Sequence, residues 1–233
     1  MDDQPHQHRD IRGGGARAAI FGVSDGLVTN VSLVLGIAGA NPGGGIVRLA
    51  GVAGLVAGSF SMAAGEYLSM AAQRELFERE LDVERRALKR SPEGEADELR
   101  AVYEERGIDP VVAREMVEQV MQDPELALAT HAREELGLET AHLGSPVQAA
   151  VASFVTFALG ALIPLLPWLF TKGNGAIVMS VVLAAVASVV VGAVLARFTE
   201  RPVLRSVLRQ LLITVAAAAV TYGVGRGIGT GVA

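Results

Sequence analysis

Apolar residues in this chain gather into runs far longer than the stripe a soluble helix needs. Residues 16–40, 49–72, 147–170, 176–196 and 203–224 are almost free of charge, and about 20 apolar residues suffice to cross roughly 30 Å of hydrocarbon as a helix. The pattern predicts five membrane-spanning helices. Five such runs in 233 residues leave too little polar sequence to cover them in water. The first run is not expected to be a cleavable signal: it follows a polar tail, lacks a small-residue cleavage pattern and contains Asp25 and Asn30.

Between the second and third runs the pattern changes to a polar, helix-forming insert. Residues 70–88 contain neither Gly nor Pro, so the second span is expected to continue into the insert as one helix, with Leu76, Glu80, Val83 and Ala87 on one side and Leu81, Glu84 and Leu88 on another. Ser91-Pro92, Asp109-Pro110 and Asp123-Pro124 each place a capping residue before a proline suited to a first helical turn, while Gly107 and Gly137 suit C-terminal caps. The expected apolar faces are Leu99, Val102 and Tyr103; Val112, Met116 and Val120; and Leu126, Leu128 and Leu136. A core this thin would gain from dimerisation. The chain therefore divides into a tail (1–15), spans 1 and 2 (16–72), a helical insert (73–145) and spans 3 to 5 (146–233). The fold class is all-α and polytopic.

Composition agrees with this mosaic, with 51% hydrophobic residues beside 19% charged ones and a formal net charge of -5. Basic residues near span ends set the orientation. Arg9, Arg12 and Arg17 precede the first span, Arg74 and Arg79 follow the second, and Arg197, Arg201, Arg205 and Arg209 join the fourth to the fifth; the other side has Arg48, Lys172 and Arg226. This places the N-terminus and insert in the cytosol and the C-terminus outside. Without cysteine there is no disulfide framework or thiolate metal site. No P-loop, zinc-protease motif or basic aromatic patch points to nucleotide hydrolysis, proteolysis or nucleic acid.

Two carboxylates, Asp25 and Glu66, fall inside spans. An ionisable group at membrane depth costs about 2.5–3.5 kcal/mol on insertion scales and characteristically marks an ion or proton pathway. Counting from the turn at 42–45 puts Met62 at the depth of Asp25, with Glu66 one turn nearer the cytosol on the same face and Thr29 continuing the face of Asp25. Oxygen ligands suit hard divalent ions and a thioether adds affinity for softer ones, so this set fits Fe2+ or Mn2+ better than Mg2+ or Ca2+. Protons and metal would compete for the same carboxylates. Plain packing also accounts for Met62, and a bond to a neighbouring helix for Asp25. Gly22 and Gly26, with Gly54, Gly58 and Met62, keep one stripe of each helix thin, and Pro164 and Pro167 are expected to bend the third span.

In the insert, Glu95 and Glu98 are three apart and His131 precedes Glu135 by four, so each pair shares a helix face. Like charges at such spacing destabilise a helix by roughly 0.2–0.5 kcal/mol, which a bound cation would reverse. Solvated acidic faces have the same spacing. Glu139-Thr140-Ala141-His142 matches a di-iron Glu-x-x-His pattern, but such a centre needs two of these, and one beyond the helix-ending Gly137 reads as linker. His6 and His8 read as tail residues.

The runs Phe21-Gly22-Val23-Ser24-Asp25-Gly26-Leu27-Val28-Thr29-Asn30 and Ser61-Met62-Ala63-Ala64-Gly65-Glu66-Tyr67-Leu68-Ser69 resemble the vacuolar iron transporter family, and the likeness extends through the glutamate-rich insert and residues 160–167. The resemblance implies a homodimer of five-span protomers with a metal and proton path between subunits, served by Asp25 and Met62 with Glu66 taking part, and a cytosolic metal-binding domain. It implies insert ligands Glu84, Glu95, Glu98 and Glu135, with His131 where the family can use methionine. Ala87 stands where a second glutamate is common, three after Glu84, and Glu78, Glu80 and Glu134 are candidate substitutes. The expectation is a transporter, not an enzyme, that moves Fe2+ or Mn2+ out of the cytosol by proton exchange for metal homeostasis and detoxification. Zn2+ or Co2+ are further candidates for the insert. A bacterial-looking Ala- and Arg-rich chain favours the cell membrane over a vacuolar one. The rivals are a membrane-anchored metal sensor and an iron-oxidising enzyme.

Overall fold

A computed structural model of the chain describes residues 14–41, 43–135, 137 and 144–231. Among them are eight helices and no strand: α1 (Gly14–Gly39), α2 (Gly44–Arg90), α3 (Pro92–Glu105), α4 (Pro110–Val120), α5 (Pro124–Glu134), α6 (Pro146–Phe170), α7 (Gly173–Thr199) and α8 (Val203–Gly231). Five of them, α1, α2, α6, α7 and α8, are long and apolar enough to cross a membrane. His6, His8, Pro42, Leu136 and the Glu139–His142 motif, all singled out in the sequence, lie outside the described residues.

The chain forms two compact units, one comprising Met1–Leu68 with Ser145–Ala233 and the other Ser69–Gly144. In the first, α1 packs against α6, α7 and α8. Leu27, Val31, Val34 and Leu35 of α1 meet Leu165 and Trp168 of α6 and Ala176 and Ala184 of α7. The side-chain arrangement is the reverse of a water-soluble helix. Along α7 the buried positions are Ala176, Ser180, Ala184, Ser188, Gly192 and Ala196, four apart and all small, whereas Val178, Val182, Val186, Val190 and Val194 face outwards. Lipid solvates the large apolar side chains, and small inward residues let helices approach closely enough for van der Waals packing to hold them.

Gly22 and Gly26 do this against α6: a Cβ on Gly26 would run into the carbonyl of Phe157, and one on Gly160 into that of Val23. Gly54 and Gly58, expected to act alike, instead make room for the side chains of Leu33 and Phe157. A second close seam joins α8 to α1. Gly225 and Gly229 of α8 lie directly on the backbone of Gly36 and Ala40.

Several buried polar groups of the first unit find partners, as lipid demands, whereas Ser32 Oγ, Ser153 Oγ and Trp168 Nε1 are buried without a hydrogen-bond partner among the described residues. α6 runs through Pro164 and Pro167. The carbonyls of Ala161, Pro164 and Pro167 accept from Asn30 Nδ2 (2.6 Å), Ser180 Oγ (2.7 Å) and Thr171 Oγ1 (3.0 Å). Across α7 and α8, Ser188 and Thr214 hydroxyls meet at 3.0 Å.

In the second unit, α3 and α4 enclose Leu99, Tyr103, Ala113 and Val117. Asp109 accepts from the Val111 amide and Asp123 from those of Glu125 and Leu126, while Ser91 occupies its N-cap position without a side-chain bond. Gly107 and Gly137 have φ of 86° and 64°, the left-handed conformation that ends a helix at low cost for glycine. Two expected faces need correction. α4 buries Ala113 and Val117 and leaves Val112 and Met116 exposed, and α5 buries Ala127 and Leu128 but exposes Leu126. Each helix thus turns one small and one larger apolar residue inward, Ala113 with Val117 and Ala127 with Leu128.

Candidate metal centre

Three helices of the second unit bring four of the expected ligands together. Glu84 comes from the inward side of α2, between the half-buried Leu81 and Leu88; Glu95 from the first turns of α3; His131 from α5; and Glu135 from the C-cap of α5. One ligand atom from each lies within 4.8 Å of all the others. His131 Nδ1 is 3.0 Å from Glu135 Oε1, 3.3 Å from Glu84 Oε1 and 3.9 Å from Glu95 Oε2. The imidazole is fully buried and Glu84 is 8% exposed, while Glu95 is half-buried and Glu135 exposed, so the cluster has a buried inner side and opens to solvent at Glu135.

This concentration of acid is unfavourable by itself. Burial raises the Glu84 carboxyl above the ordinary glutamate value, followed by the Glu135 charge, with His131 acting in the opposite direction and Glu95 and Glu98 adding to the rise. Glu95 is raised by burial first and then by the charge of Glu98. Glu84 Oε1 and His131 Nε2 are buried without a hydrogen-bond partner among the described residues. A divalent cation coordinated by three carboxylates and an imidazole nitrogen would satisfy this oxygen-rich set and reverse the repulsion, and the N/O composition suits Fe2+ or Mn2+.

The remaining candidates have different surroundings. Glu98 is exposed and outside the four-residue cluster, acting on it through charge. Glu78 is engaged by Arg74 at 2.8 Å and Glu134 by Arg106. Glu80 is half-buried, one turn before Glu84, and Ala87 follows three residues after it with no ligand to offer.

In the first unit, Asp25 is half-buried and accepts from Thr29 Oγ1 at 3.3 Å. Met62 and Glu66 follow each other by one turn of α2, both partly exposed. Beside Asp25, Ser24 Oγ donates to Gln210 Oε1 at 3.1 Å, and Gln210 is buried. Gln210 is an amide inside an apolar run, a signal visible in the sequence without any structure.

An all-helical polytopic membrane protein carrying a compact helical domain with a carboxylate–histidine cluster is a narrow class. The VIT family profile matches residues 16–226, and the chain belongs to that family. It is 38% identical over 166 residues to a vacuolar iron transporter of Acanthamoeba castellanii, covering 71% of this chain and 60% of that protein. It is 36% identical to vacuolar iron transporter 1 of Arabidopsis thaliana (71% of this chain, 67% of the relative) and 33% identical to a vacuolar iron transporter of Centaurea cyanus (76% and 72%). The chain thus spans well short of the full length of these relatives. Their names refer to the vacuole, and nothing in them favours the cell membrane expected from composition.

Proposed function

We propose that this protein is a transmembrane transporter of divalent metal, with Fe2+ and Mn2+ as substrates moved out of the cytosol in exchange for protons. The observation that carries the proposal is the convergence of Glu84, Glu95, His131 and Glu135 within 4.8 Å. In this reading the cluster collects metal from the cytosol, with Glu98 adding attraction, and Asp25, Met62 and Glu66 serve the membrane path. The relatives' names support iron as a substrate and a transporter rather than an enzyme. Partial exposure of Asp25, Met62 and Glu66 on the single chain supports a path shared between two copies. A carboxylate neutralised alternately by metal and by a proton gives exchange a physical basis.

The test is metal flux in proteoliposomes across a pH gradient, with Fe2+ and Mn2+ in competition. Asp25→Asn keeps the shape of the side chain and removes its charge, so metal-dependent proton movement should vanish while the insert still binds metal. Wild-type flux in that variant would overturn the pathway. A sensor merely anchored by its spans would bind metal and show no flux in the unmodified protein.

A further inference from the structure

The start of α8 carries an arginine stripe that the transport reading does not use. Between residues 197 and 209 the sequence has Arg197, Arg201, Arg205 and Arg209 against one acid, Glu200. Arg201, Arg205 and Arg209 are exposed and have no ion pair among the described residues. Arginines of the insert behave differently. Arg74, Arg85, Arg100 and Arg114 each bind an acid three or four residues away on the same helix. No acid stands at those spacings from Arg205 or Arg209.

The surroundings of these two side chains are lipid-facing. Leu204, Leu208 and Leu212 flank them with exposures of 70%, 48% and 69%. An arginine on such a surface keeps its stem among acyl chains and carries its guanidinium to the phosphate layer, where the planar fork pairs with phosphate oxygens. Leu212 leads along the helix to Val215, six residues and about 9 Å beyond Arg209. Val215 lines an apolar groove of about 330 Å³ between α1, α7 and α8, whose other walls include Val31, Leu35, Val181, Leu211 and Tyr222. Thr214, which also borders it, spends its hydroxyl on Ser188 and the Gln210 carbonyl.

We propose that Arg205, Arg209 and this groove form a binding site for one anionic phospholipid, with the phosphate on the two guanidiniums and an acyl chain in the groove. Among the described residues the two guanidiniums have no ion-pair partner, the groove is walled almost wholly by apolar atoms, and Val215 at its edge lies about 9 Å along the helix from Arg209, within the span of one lipid from phosphate to acyl chain. The occupant would brace α1, α7 and α8, which meet around the groove.

Native mass spectrometry of the full-length protein in detergent tests this, titrating phosphatidylglycerol and phosphatidylcholine of identical chains. The wild type should bind phosphatidylglycerol at least about tenfold more tightly, and R205Q/R209Q should bind it about thirtyfold more weakly than wild type, with phosphatidylcholine unaffected. Val215→Trp fills the groove while leaving both arginines and should also weaken the anionic lipid, which keeps the test valid if the double variant does not fold. Equal binding of the two lipids by wild type, an undiminished preference in R205Q/R209Q, or wild-type binding in Val215→Trp would overturn the proposal. So would displacement of the lipid by an equal concentration of inorganic phosphate, since the site would then be one for free phosphate.

Discussion

Replacing Glu84 by Gln should move apo stability and metal affinity in opposite directions. The substitution keeps side-chain volume and removes one charge from a partly buried set whose ligand atoms lie within 4.8 Å of one another. At an effective dielectric of about 20, two carboxylates at that separation repel by about 3.5 kcal/mol. The imidazole of His131 beside Glu84 and the solvent exposure of Glu135 offset much of this. A gain of about 1–2 kcal/mol for the metal-free protein is the expected remainder. Loss of one of four ligands should weaken binding by at least the 10–100-fold seen when only outer-shell partners of a metal are removed, or about 1.4–2.8 kcal/mol. Thermal unfolding of stripped and Mn2+-loaded protein, with calorimetric titration of Mn2+, reads both quantities. Metal-free protein that melts lower than wild type while Mn2+ affinity is unchanged would refute a charge-strained cation site and leave Glu84 as a packing residue.

Further outcomes follow from the same geometry. Glu95→Ala should lower Mn2+ affinity about 10–100-fold and Glu98→Ala only several-fold, since Glu98 acts from outside the cluster; calorimetry giving equal losses would contradict that division. Because Glu84 and Glu95 are raised above the ordinary value of 4.5, the folded apo protein holds more protons than the unfolded chain between that value and the raised ones. The stability these two groups contribute should therefore be fully present below that window and be lost as pH rises through it, whereas Mn2+ affinity rises over the same window; denaturant titrations of wild type against E84Q/E95Q at stepped pH would detect the opposite slope. Gly26→Ala forces α1 off the Phe157 backbone and should cost about 1–3 kcal/mol, while Gly223→Ala, with open space beside it, should be neutral or slightly stabilising; equal melting temperatures would show that the α1–α6 approach is not tight.

Helix number, span positions and the caps at Asp109 and Asp123 were legible in the chain because each depends on local composition: a run long enough for lipid, or a side-chain oxygen one residue before a proline. His131 and Glu135 were legible as a pair for the same reason, being one turn apart. The grouping of Glu84 and Glu95 with that pair was legible only through the family resemblance and not from periodicity, since it joins residues 84, 95 and 131 through helix crossings that no spacing encodes. Tertiary packing likewise chose Ala113 and Val117 over Val112 and Met116 as the inward face of α4, and set Gly225 and Gly229 against α1. Periodicity tells which residues share a face but not which face meets a neighbour. That choice belongs to the distance of closest approach between helices, a property of all the side chains at the crossing together.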